Sequence, residues 1–74
     1  MISEHKIINA TLEEVFYTIT EMKWHAVFLN SSRYNYKEMS DWLNDNCESR
    51  VRYVAAGFSF EDDDDAFMFI LRWL

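Results

Sequence analysis

Residues 51–74, VRYVAAGFSFEDDDDAFMFILRWL, constrain the fold more than any other part of the chain, because a strand-like run, a knot of acids and an apolar helix follow without a break. Read as one strand, 51–60 places Arg52, Val54, Ala56, Phe58 and Phe60 on one face and Val51, Tyr53, Ala55, Gly57 and Ser59 on the other. β-branched and aromatic residues at its ends suit a pleated, half-buried surface. Its middle, Ala55-Ala56-Gly57, is nearly bare. Small side chains there predict a closely crossing helix or a bulge; a ligand approaching the backbone is the alternative.

Glu61, Asp62, Asp63, Asp64 and Asp65 come next. A helix start accounts for them. Asp62 suits the N-cap, where its carboxylate accepts from an orphan amide of the first turn. The following aspartates sit at the positive end of the helix dipole, worth up to about 1 kcal/mol each. A calcium loop would need a glycine for its turn and a distal bidentate glutamate; neither follows, and no metal is expected. The helix over 63–74 is apolar nearly all round, with Ala66, Ile70 and Trp73 in one stripe and Met68 and Phe69 pointing elsewhere. So small a domain cannot wrap it fully, so part of it is expected to face a partner. At about 12 residues it is too short to span a bilayer. Arg72 either complements the dipole at the helix end or pairs with an acid such as Glu48.

This region carries a resemblance. Phe58-Ser59-Phe60-Glu61-Asp62, followed by the run from Asp65 to Trp73, resembles the tail of a group of small bacteriophage-encoded proteins, roughly F-x-F-x-D-x-x-D-A-x-x-F-x-L-R-W. It covers about 16 of the 74 residues, with a looser likeness around Trp42-Leu43, and departs from the pattern at Ile70, where lysine is common. The resemblance implies an origin in an infected cell, not an activity.

At 74 residues the chain is one domain, 1–74. A chain this short buries only about 60% of its unfolded surface, so it must pack densely or associate. With 50% apolar and 18% aromatic residues it has the material to do so. A net charge of −6 argues against direct nucleic-acid binding, which needs a basic footprint, and against anionic membranes. It favours basic partners. The one cysteine, Cys47, excludes an internal disulfide and favours the cytosol. The first residues, Met-Ile-Ser-Glu-His-Lys, lack the apolar core of a signal peptide. A cytoplasmic protein is expected.

Upstream, His5 to Ile8 is a short edge strand or a tail over the core. Thr11 and Glu14 form a capping box. Leu12, Val15, Phe16, Ile19 and Met22 then recur at helical spacing and leave Glu13, Glu14, Tyr17 and Glu21 outward. Ala26 and Leu29 would continue this stripe, giving one helix to about Leu29. The final strand needs a pairing partner, however, and the aromatic, β-prone run 23–30 is read as that strand. Asn30 to Arg33 is a loop. Asn35 caps a second helix with Glu38 as its box partner; Met39, Trp42, Leu43 and Cys47 face inward. Glu38, Asp41 and Asp45 make an exposed acidic stripe. The expected fold is α/β, or small α+β, with a two- or three-stranded sheet and three helices in the order (β)αβαβα. An edge of so small a sheet is open to dimerisation or binding.

His5, His25 and Cys47 match no zinc ligand set. His25 reads as a packed or half-exposed imidazole. Arg50 near Cys47 would lower its pKa, yet a lone cysteine at a helix end is more simply a small apolar residue. Close acid pairs are inevitable among thirteen acids and carry little information. No cofactor and no enzymatic activity are expected. The acids are the feature that bears on function: Glu38, Asp41, Asp45, Glu61, Asp62, Asp63 and Asp64 would form a patch that steers a basic partner if they share a side. In a phage setting that partner is a host or defence protein whose basic groove holds nucleic acid, and the carboxylates stand in for phosphates. The alternative is an assembly protein that homo-oligomerises or docks through the apolar last helix and a sheet edge.

Overall fold

The computed structural model describes residues 5–29, 35–54 and 57–74. Its elements are β1 (Ile7–Asn9), α1 (Leu12–Thr20), β2 (His25–Phe28), α2 (Tyr36–Asn46), β3 (Val51–Val54), β4 (Gly57–Phe60) and α3 (Asp63–Trp73). The fold is α+β, with a mixed sheet of strand order β1-β3-β4-β2. β1 runs parallel to β3, and β4 is antiparallel to both β3 and β2.

Among the described residues the sheet therefore has four strands, where two or three were expected. The extra one comes from 51–60, which is a hairpin and not a single strand: Val51 pairs with Phe60 and Val54 with Gly57. Ala55 and Ala56, expected at the close crossing, lie outside the described residues, as does the expected loop over 30–33. Folding back reverses the parity of the second half. Phe58 and Phe60 move to the face of Val51 and Tyr53, and Ser59 joins Arg52. The physical driver is burial: the hairpin gathers the aromatic residues on one face, whereas a straight strand would have put Arg52 among them.

That face carries the apolar core, in which Val27, Val51, Phe58 and Phe60 meet Met39, Leu43 and Cys47 of the α2 region and Ala66 and Phe69 of α3. Phe58 lies at its centre, with ring centroids 4.8 Å from Phe69 and 5.1 Å from Tyr53. Trp42 meets Phe69 edge-on at 6.1 Å, which locks α2 to α3. Phe69, expected off the stripe, is fully buried, because packing under two elements selects Ala66 and Phe69 together.

The other face, under α1, is polar. Thr18 Oγ1 donates to Ser59 Oγ at 2.7 Å, and Arg52 is fully buried, its Nη1 donating to the carbonyls of His5 (3.0 Å), Lys6 (3.2 Å) and Val51 (3.1 Å). Glu14 Oε1 stands 3.7 Å from Arg52 Nε. The expected α1 stripe is thus rotated: Val15 and Thr18 are buried, Glu14 turns inward to the cation, and Leu12 and Phe16 are about half exposed. A buried guanidinium needs a counter-charge, and meeting it outweighs seating Phe16. Burial pulls the Arg52 pKa below its ordinary value, and Glu14 opposes that.

Local chemistry sets the boundaries. Thr11 Oγ1 accepts from Glu14 N at 3.1 Å, the N-cap half of the expected box. α1 stops because Lys23 adopts a left-handed conformation (φ 62°), and Trp24 N donates back to Thr18 O at 2.9 Å. The chain then enters β2 at His25, so the strand reading of 23–30 is right in kind and shorter in extent. Gly57 is glycine for a steric reason: a Cβ there would lie 2.9 Å from Phe28 Cδ1 and 3.0 Å from the Val27 carbonyl oxygen. The close approach is by the neighbouring strand. Among the described residues, no helix is long and apolar enough to cross a membrane.

Candidate functional site

α2 runs from its cap at Asn35, whose Oδ1 accepts from Lys37 N and Glu38 N, to Asn46. With Met39 and Leu43 fully buried, the helical period turns Glu38, Asp41 and Asp45 outward, and all three are exposed. They span about 10 Å along the axis. Asp41 shares its charge with Lys37 across one turn, at 3.1 Å.

The end of α2 meets the start of α3. Asp65 is 3% exposed, and its Oδ2 accepts from Glu48 N at 3.1 Å and Ser49 N at 3.0 Å. This residue, read from sequence as one more dipole-facing acid, instead fastens the α2–β3 connection to the first turn of α3. Asp62 caps α3 by accepting from Asp64 N at 2.8 Å. Asp63 Oδ1 lies 3.5 Å from Nδ1 of the half-exposed His25. Asp45 near the end of α2 and Asp62, Asp63 and Asp64 at the start of α3 thus stand to either side of that tie, and Glu38 and Asp41 lie farther back along α2.

Glu61 has a different environment. Its carboxylate accepts from Arg50 Nη2 at 2.7 Å and Nε at 3.2 Å, which holds its pKa below the ordinary value through those hydrogen bonds. Lys6, Glu48, Ser49, Arg50 and Glu61 line an open hollow at this end. Lys6 Nζ donates to Asn44 O at 2.7 Å. Of the seven acids singled out in the sequence, Glu61 is the one whose charge is answered by a bidentate arginine.

The other reactive candidates are quiet. Cys47 is buried, and its pKa is pushed up to about 12, first by burial and then by Asp65 and Asp62, with Lys6 opposing. The expected lowering by Arg50 is overturned, since desolvation of a thiolate outweighs a neighbouring cation. Arg72 stacks its guanidinium 4.4 Å from the Trp73 ring centroid, in the last turn of α3. Among the described residues, no three His, Cys, Asp or Glu side chains gather as a metal set.

Exposed apolar side chains extend beyond the last helix, where the sequence placed them. Leu12, Phe16 and Tyr17 of α1, Phe28 of β2, and Phe67, Met68, Leu71 and Leu74 of the α3 region are 40–70% exposed. The α3 members were legible in its all-round apolarity. Tyr17 was read as outward and is; Leu12 and Phe16 were not legible, because their exposure depends on the rotation imposed by Arg52.

No protein-family model matches this sequence, and neither a curated protein nor a solved structure is significantly similar to it.

Proposed function

We propose that the protein is a non-enzymatic binding module that presents its acidic strip to a basic surface on another protein. The observation that carries this reading is the joining of the end of α2 to the start of α3 through Asp65, with Asp45 and Asp62 to Asp64 around that junction. Exposed carboxylates on one small domain sum to a field that draws an approaching cationic groove, and salt screens it. The tail resemblance makes the partner a host or defence protein in the cytoplasm of a phage-infected cell, one whose basic surface holds nucleic acid. Glu38, Asp41, Asp45, Asp62, Asp63 and Asp64 are the contact residues; Glu61 contributes less, being paired with Arg50.

The test is capture from host lysate on the immobilised protein, eluted at low and then high salt, with each fraction identified by mass spectrometry. A nucleic-acid-binding protein released by salt, and no longer retained by the Glu38→Lys, Asp41→Lys, Asp45→Lys triple variant, is the expected result. Retention that is indifferent both to salt and to the triple reversal defeats the reading.

A further inference from the structure

The sheet ends in two unlike edges. β1 is short and follows Lys6; β2, His-Ala-Val-Phe, contains no lysine and no proline, the residues that usually guard an open edge. Among the described residues nothing pairs with the outer side of β2.

Exposed apolar side chains flank this edge on both faces, beside the His25–Asp63 pair on the α3 side. On the α1 side, Thr18 sits over Ser59 of β4 and Glu14 reaches Arg52 of β3. Leu12 and Phe16 each lie two positions from Glu14, about 160° round the helix, and so look the other way, toward β2. Phe28 is on the same face, since it pairs with Gly57 in the row next to Ser59. On the opposite side α3 covers β4 and β2. Its Asp65 flank is turned to the α2–β3 connection, so Phe67 and Leu74, on the opposite flank, look toward β2 as well.

We propose that a second copy of this chain occupies the edge, with β2 pairing antiparallel to β2 of the second copy about a two-fold axis at Val27. That axis pairs Ala26 with Phe28 of the second copy and His25 with Leu29 of the second copy, and so keeps every side chain on its own face. Leu12, Phe16, Phe28, Phe67 and Leu74 are each 49–63% exposed. At about 100 Å² apiece they supply roughly 500 Å² of apolar surface, which the strand backbone and its neighbours extend toward the ~800 Å² per partner of a stable dimer. The net −6 per copy opposes association at low salt: most of the acids lie on α2 and the start of α3, and the one that reaches β2, Asp63, stands 3.5 Å from His25.

The proposal stands apart from the acidic reading because salt moves the two in opposite directions. Added salt weakens capture of a basic partner; it screens the repulsion between two acidic copies and leaves the dimer intact or tighter. Sedimentation equilibrium of the full chain over rising protein concentration, at low and high salt, is expected to give a dimer. Phe28→Lys is expected to weaken it at least tenfold, with circular dichroism checking the fold. Leu12→Lys serves as the second variant if Phe28→Lys does not fold. The double variant Ala26→Cys, Phe28→Cys, treated with a short bis-maleimide, is expected to yield a covalent dimer, the buried Cys47 thiol remaining unreacted in the wild type. A wild type that stays monomeric at every concentration and salt overturns the proposal. So does a dimer that is indifferent to the lysine variants and gives no crosslink, or a β2 edge taken up by a strand of another protein.

Discussion

The two faces of the central sheet are both dry, and they are held by different physics. Under α2 and α3 the contacts are among Phe58, Phe60, Phe69, Val51, Met39 and Leu43, all 0–1% exposed. Under α1, Thr18, Ser59 and Arg52 are equally buried; Thr18 is hydrogen-bonded to Ser59, and Arg52 donates to the carbonyls of His5, Lys6 and Val51. Apolar contact is non-directional and scales with area; the polar layer demands named partners at fixed distances. The apolar side supplies the stability. The polar side decides how α1 is rotated, and through that rotation it exposes Leu12 and Phe16.

The strongest way to break this contrast is Phe69→Ala. Truncating a fully buried aromatic ring costs about 3–5 kcal/mol, a large share of the stability available to so small a domain. Thermal unfolding followed by circular dichroism is expected to show loss of the cooperative transition or a midpoint lowered by well over ten degrees. A shift of only a few degrees would mean the aromatic layer is not the main source of stability.

A finer cut is the Thr18–Ser59 hydrogen bond. Thr18→Val strands a buried hydroxyl and is expected to cost about 1–2 kcal/mol in denaturant unfolding. Adding Ser59→Ala removes the stranded group, so the double variant should be less destabilised than the two single effects added together. Additive losses would mean the pair is not coupled and the α1 face is held by packing alone.

The smallest effect is expected at the rim, outside both layers. Glu61→Gln weakens the partly exposed pair with Arg50 and should cost no more than about 1 kcal/mol at neutral pH. Glu61 has its folded pKa held below its unfolded value, so its contribution is present above the ordinary glutamate pKa and is lost as pH falls through the folded value. Denaturant midpoints of wild type and variant are therefore expected to differ at pH 7 and to converge in acid. A gap that widens on acidification would contradict the assigned pairing.

Much of this was legible beforehand where the signal was local. The caps at Thr11, Asn35 and Asp62 and the inward set Met39, Leu43 and Cys47 all follow from short-range pattern, and each stands in the structure. So does the outward stripe Glu38, Asp41 and Asp45. Errors arose where one residue had to choose between distant environments. Alternation over 51–60 is satisfied equally by one strand and by a hairpin, and nothing in the spacing says that Phe58 will lie beside Tyr53. Glu14 and Asp65 looked like ordinary helix-start acids, yet one answers Arg52 and the other ties Glu48 and Ser49 to α3.

By itself, the sequence determined helix starts, the acidic balance, the lack of an internal disulfide among these 74 residues and the existence of an apolar surplus, because each depends on residues within a turn or two or on composition alone. Only the tertiary structure decided that the last strand-like run folds back, that α1 turns Glu14 inward and Phe16 outward, and that Asp65 leaves the acidic strip to become a buried tie. Those choices are made by burial and by the need to satisfy one guanidinium and one carboxylate across 16 to 47 residues of chain, a distance over which local pattern carries no information.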